Sequence, residues 1–206
     1  MKLLSVDPAN LLAGWSYFSD YKLMDFGLLK GTSSKTRAAR YKTVNGVKHL
    51  VAKAVKLSES IPITGFQTGK LINRFHDDGC RLLIIEDQYV GKNPQTAMRV
   101  VEARMRWEVA AEVLGWKIVR VKPATWQSKM VTSSSSVSKI DPLTRKQKSD
   151  KQISREQKAN RSALKQRIIE RVKINHPGIV ANSDESDSIC MGDYYINEQR
   201  CQGKLF

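Results

Sequence analysis

Residues 82–94 read Leu82-Leu83-Ile84-Ile85-Glu86-Asp87-Gln88-Tyr89-Val90-Gly91-Lys92-Asn93-Pro94. An unbroken apolar run of this length carries no in-out alternation, which is the pattern of a strand covered on both faces, and it stops at a carboxylate. Glu86 is therefore expected at the carboxyl end of a central strand. Asn93 can cap the first turn of a helix and Pro94 fits inside that turn, so a helix is predicted to about Leu114, with Ala97, Val101, Met105, Val109 and Val113 on one stripe and Gly115 ending it. Trp116 to Val121 then reads as a second strand. Strand, helix and strand form a β-α-β unit, which implies parallel strands with helices packed on the sheet and places the chain in the α/β class.

Upstream, Leu3 to Val6 is a short apolar run ending in Asp7-Pro8, and residues 14–18 and 22–29 supply two further strand-like pieces. An antiparallel meander is expected to open the fold. Between Lys35 and Leu57 the apolar residues Ala38, Ala39, Val44, Val47, Leu50, Val51, Ala54 and Val55 recur mostly at three- and four-residue intervals, predicting a helix that Asn45-Gly46 interrupts. Another helix is predicted from Phe66 to Phe75, ending near Asp77-Asp78-Gly79.

Downstream, residues 132–160 are rich in serine and lysine and poor in apolar side chains, and read as a flexible basic insertion in one domain spanning 1–206. From Lys129 to Lys173 there are thirteen basic residues against four acidic ones, so this stretch holds +9 of the chain's net +15. Leu164, Ile168, Ile169 and Val172 predict an amphipathic helix over about Arg161 to Ile174. Asn182 and Ser183 are candidate caps for a last helix beginning near Asp184.

A pI near 9.9 favours a polyanionic partner, nucleic acid first. The three cysteines, Cys80, Cys190 and Cys201, are widely separated and lack Cys-x-x-Cys spacing, which argues against a disulfide framework and a structural zinc site. No apolar run approaches the ~20 residues of a membrane span, and the apolar segment after Lys2 is too short for a signal peptide. The expectation is a soluble cytoplasmic protein with no membrane partner.

Asp184 and Asp187 are three apart, so on a helix they share a face. If that helix crosses the ends of adjacent strands carrying Asp7 and Glu86, four carboxylates converge. Such a concentration of negative charge is unfavourable unless divalent cations neutralise it, and two Mg²⁺ about 3.5–4 Å apart would do so while activating a water and stabilising the leaving oxygen of a phosphodiester. Each residue has an ordinary alternative: Asp-Pro closes strands into turns, and acidic residues are favoured in a first helical turn.

Taken in order, Asp7-Pro8 with Gly14-Trp15, then Glu86-x-x-Tyr89-x-x-Lys92-Asn93 followed by Ala97 and Ala103-Arg104, then Asp184-x-x-Asp187, resemble the RuvC Holliday junction resolvases of the RNase H-like superfamily. The three blocks span most of the chain, and the stretch from Glu86 to Arg104 matches without gaps. The lineage resembles a divergent member, with a phage origin as one candidate. The resemblance implies an RNase H-like fold with a five-stranded mixed β-sheet, and a homodimer that resolves four-way DNA junctions by paired nicks. It also implies that Asp7, Glu86, Asp184 and Asp187 are the catalytic, metal-binding carboxylates for Mg²⁺, with Mn²⁺ as a substitute, and that Tyr89 stacks on bases opened at the crossover. Candidate DNA contacts are Tyr89, Lys92, Arg104, Lys122, Lys129, Lys146, Lys148 and Lys151.

The chain departs from the family at Gln127, where a lysine is expected; Lys122 and Lys129 are the nearest replacements. Arg104 either contacts phosphate or pairs with Glu102 or Glu108 on its own helix. Trp107, Trp116 and Trp126 belong to the core or a dimer interface. His176 is either structural or a catalytic helper. Competing functions are a ribonuclease H-like or transposase-type nuclease on another nucleic acid, and a junction-binding protein that does not cut.

Overall fold

The computed structural model describes residues 1–31, 62–88, 93–131, 138 and 147–203, and the main chain alone of 36–37, 40–44, 47–52 and 55–56. The expected meander forms β1 (Lys2–Asp7), β2 (Leu12–Ser19) and β3 (Lys22–Lys30), with Asp7 facing Gly14 and Val6 facing Trp15 across the first pair.

The region predicted as a helix over Lys35–Leu57 instead contains four short strands, β4 (Thr36–Arg37), β5 (Arg40–Val44), β6 (Val47–Ala52) and β7 (Val55–Lys56). Its valines and threonine favour extended backbone, and Asn45-Gly46 between two such runs is a hairpin signature that outweighs the apolar spacing. β5 and β6 pair antiparallel with Val44 opposite Val47.

Helix α1 (Gly65–Asp77) starts from a reciprocal cap between Thr64 and Gln67. Next come β8 (Leu82–Glu86), α2 (Pro94–Val113) and β9 (Lys117–Val121). As expected, Asn93 caps α2 through the amides of Gln95 and Thr96, and Gly115 follows it at φ +70°. Strands β1, β8 and β9 are parallel, so the five-stranded sheet is mixed, in the order β3-β2-β1-β8-β9.

The sheet divides two apolar layers. Leu4, Val6, Trp15, Leu83 and Ile85 meet α1 and α2 through Ile72, Phe75, Trp107 and Ala111. Leu3, Phe18, Ile84 and Val121 meet α3 (Pro123–Met130), α4 (Asp150–Asn175) and α5 (Ser183–Cys201) through Trp126, Ile168, Val172 and Ile189. Trp107, Trp116 and Trp126 are all core residues.

Two helices differ from expectation. Met105, Val109 and Val113 face outward, at 50%, 51% and 79% exposure, because Ala103, Trp107 and Ala111 form the stripe that lets α2 settle on the sheet. Helix α4 begins at Asp150, not Arg161, because Ser149 and Gln152 form a capping box that starts it early. The rest of the expected insertion, apart from Ser138 and Gln147–Ser149, lies outside the described residues.

Candidate metal centre

Period-two alternation decides which face carries the acidic residues. Leu3, Ser5 and Asp7 point to the α5 side of the sheet, as do Ile84 and Glu86 on the neighbouring strand. Because Val6 is in register with Ile85, Asp7 and Glu86 end adjacent central strands. Helix α5 supplies the other two carboxylates from its first turns, with Asn182 accepting the amides of Asp184 and Glu185.

Two glycines allow this helix to lie so close. A β-carbon on Gly14 would overlap the main-chain carbonyl of Asp184, and one on Gly192 would overlap the Phe18 ring. The approach brings one carboxylate oxygen each from Asp7, Asp184 and Asp187 within 4.8 Å of one another. Glu86 adjoins Asp7.

Three of these four carboxyls accept a side-chain hydrogen bond. Gln88 Nε2 donates to Asp7 Oδ1 at 3.0 Å and to the Pro8 carbonyl at 2.6 Å. The buried Trp126 indole donates to Glu86 Oε1 at 2.9 Å. Ser183 donates to Asp184 Oδ1 at 3.1 Å, and Lys165 Nζ lies 3.6 Å from the same oxygen while donating to Ser183. Asp187 Oδ1 is buried and has no partner among the described residues.

Electrostatics follows from that packing. Burial, then the negative charge of Asp7, pushes Glu86 up to about 9 against the pull of the Trp126 donor. Burial and Asp7 push Asp187 up to about 8, with Lys165 opposing. Burial also raises Asp7, with Gln88 the largest opposing influence. The cluster therefore resists ionisation without added positive charge. An unpartnered buried oxygen beside convergent hard-oxygen donors fits Mg²⁺ or Mn²⁺, both of which take carboxylate ligands.

The remaining predicted site residues fall elsewhere. Tyr89, Lys92 and Lys146 lie outside the described residues. Lys122, Lys129 and Lys151 are exposed, and Lys148 pairs with Glu156 at 2.7 Å. Arg104 points into a part-buried network, bonded to Asp87 and 3.4 Å from Glu108, which also takes Arg120 through both carboxylate oxygens. His176 pairs with Asp193 at 2.9 Å and joins the end of α4 to α5. Sequence reasoning missed Lys165, Gln88 and the Trp126 donor at the site. Gln88, two residues beyond Glu86, was the one with a local signal.

No family model matches the sequence, and neither does any curated protein. Among solved structures, Thermus thermophilus RuvC in complex with a Holliday junction substrate matches with a TM-score of 0.56 at 12% identity, covering 98% of this chain and 96% of that one. The fold is RuvC-like. A second T. thermophilus RuvC structure matches with a TM-score of 0.49 at 12% identity, covering 98% and 97% of the two chains. The yeast mitochondrial Holliday junction resolvase gives 0.45 at 14%, covering 98% and 80%. The mixed sheet order and flanking helices agree with the RNase H-like architecture expected from the sequence.

Proposed function

We propose that this chain is a divalent-metal-dependent endonuclease that resolves four-way DNA junctions by paired nicks. The observation that carries the reading is the convergence of Asp7, Glu86, Asp184 and Asp187 at one end of a RuvC-like sheet in a strongly basic chain. Bound there, two Mg²⁺ ions would supply water activation and charge stabilisation of the leaving oxygen. The protein's own contribution is to fix the four carboxylates before substrate arrives. Gln88 and Trp126 donate to Asp7 and Glu86, and donors of this kind orient ligand carboxylates.

Lys165 places a cation beside Asp184, where it can meet a phosphate oxygen. Tyr89 is assigned to stacking on a base opened at the branch point, and Lys92, Lys122, Lys129, Lys146, Lys148 and Lys151 to phosphate contacts. Arg104 is assigned to bracing the strand end through Asp87 and Glu108, since both its neighbours are acidic. Two symmetric cuts call for a two-fold dimer, and the exposed apolar row Met98, Met105, Val109 and Val113 on α2 supports assembly through that helix. The three cysteines are unpaired, which supports a reducing cytoplasmic setting.

The test uses labelled four-way junction, linear duplex and RNA–DNA hybrid, each with Mg²⁺ and with chelator. Paired, Mg²⁺-dependent cuts confined to the junction, abolished in Asp7→Asn, are expected. Preferential cutting of the hybrid would overturn the substrate assignment, and junction binding without cutting in Mg²⁺ or Mn²⁺ would overturn the catalytic one.

A further inference from the structure

Helix α4 is 26 residues long, yet its buried residues are Ile168 and Val172, both in the C-terminal half. From 150 to 163 every side chain is exposed or half-buried. Along that part, Lys151, Ser154, Arg155, Lys158 and Ser162 recur at helical spacing and continue to Lys165, so they line one face. The helix's acidic residues, Asp150, Glu156 and Glu170, fall off this line, and Glu156 is occupied by Lys148. None of Lys151, Arg155 and Lys158 has a carboxylate partner among the described residues.

The place where the line ends gives it meaning. Lys165 is 52% exposed, and its ammonium lies 2.9 Å from Ser183 and 3.6 Å from Asp184 at the carboxylate cluster. A row of cations thus leads outward from the candidate metal centre. From Lys151 to Lys165 the row covers about 21 Å at 1.5 Å per residue, which is about six nucleotides of one strand at 3.4 Å each. The two serines are small enough to let a sugar-phosphate backbone approach the helix. No apolar residue shares the face, which excludes the amphipathic pattern by which helices lie in a membrane surface.

We propose that this face of α4 is a rail for one duplex arm of the branched DNA. Phosphates of a single strand lie on Lys151, Arg155, Lys158 and Lys165, and the scissile phosphate sits at the Lys165 end. This rests on the nuclease reading above and adds to it a direction for the substrate: the arm on the α4 side needs about six base pairs for full binding, and a shorter one leaves the rail partly empty.

The experiment uses the full chain carrying Lys151→Gln, Arg155→Gln and Lys158→Gln together. Glutamine keeps helix propensity, and circular dichroism with thermal melting establishes that the variant is folded. Binding to a fluorescent four-way junction is measured in chelator across a salt series. The slope of log affinity against log salt should fall by about 2.7, at ~0.9 for each phosphate that no longer meets a cation. Shortening the arms from about twelve to about four base pairs should weaken the wild type and leave the triple variant nearly unaffected.

An unchanged salt slope in the folded variant, or arm-length dependence that survives the substitutions, overturns the rail. Failure of the underlying reading looks different: the junction binds with the expected slope change but is never cut. Normal cutting with an unchanged slope sinks the rail and leaves the nuclease assignment standing.

Discussion

Replacing Asp187 with Asn should stabilise the metal-free protein and remove its response to metal. In the folded state burial and Asp7 push this carboxyl from 3.8 up to about 8. At ~1.36 kcal/mol per unit, carrying Asp187 at pH 7.5 costs the fold at most about 5 kcal/mol. Part of that cost is repulsion shared with Asp7, and the asparagine amide must itself be desolvated, so we expect a net gain of about 2 kcal/mol. For a chain of this size that raises the melting temperature by about 4–8 °C. The wild type regains stability when cations bind, by ~2.7 kcal/mol at a hundredfold excess over Kd, whereas the variant lacks a ligand. The two proteins should therefore change order: Asp187→Asn melts higher in chelator and lower in saturating Mg²⁺, with junction cutting lost and junction affinity little changed. Thermal melts of both proteins in both buffers decide the matter. A variant that melts below the wild type in chelator would show that Asp187 serves the fold, and would refute its role as a carboxylate held in reserve for metal.

Trp126→Phe keeps most of the packing but loses the donor to Glu86, so Mg²⁺ affinity by calorimetry should drop about tenfold; equal affinity would mean that the indole does not orient the carboxylate. Gly14→Ala sets a methyl against the Asp184 carbonyl and should cost about 1–3 kcal/mol in a denaturant melt while slowing cutting; a variant as stable and active as the wild type would show that the close approach is dispensable. The contribution of Glu86 and Asp187 to metal-free stability should be fully present below ~4 and be lost as pH rises toward 8–9, by up to ~1.4 kcal/mol per unit for each group, because both hold protons that the unfolded chain releases at ordinary carboxylate pKa values. In chelator the stability of the wild type relative to Asp187→Asn should fall over that range; a difference that stays constant or grows would contradict the sign. Val109→Glu with Val113→Glu should convert a dimer to a monomer in sedimentation; a wild type already at 23.3 kDa, with or without DNA, would end the dimer proposal.

What could be read from the chain was whatever is written in consecutive residues. The unbroken run Leu82–Ile85, the cap Asn93-Pro94 and the cap Asn182 ahead of Asp184 each mark one boundary of an element locally, and all three elements formed at those places. The failures came where two local signals competed or where a surface was decided by a neighbour. Over 35–57 the apolar spacing suggested a helix while β-branched residues and Asn45-Gly46 favoured strands. On α2 the larger side chains marked the outer face, because the sheet accepts the small Ala103 and Ala111 beside Trp107. Lys165 and Trp126 reach the site only through the packing of α4 and α3 on the sheet, and no spacing along the chain encodes that.

The energetics of the acidic cluster bears on its purpose. Three carboxylate oxygens within 4.8 Å, with Glu86 alongside, are a liability for a fold that buries them. The nearby cation Lys165 is half exposed and opposes only part of the repulsion, as the raised Glu86 and Asp187 show. A structural role would be met better by apolar side chains of similar size, since replacing buried charges with well-packed hydrophobes is often neutral or stabilising. The surroundings instead keep the carboxyls in place. Gln88 donates to Asp7 and Trp126 to Glu86, Gly14 gives up a side chain so that Asp184 can come close, and Asp187 keeps one buried oxygen without a partner among the described residues. On the proposed reading, holding the carboxylates together in this way costs stability that a bound cation would return, which is why the melts of Asp187→Asn with and without Mg²⁺ test the site and the fold at once.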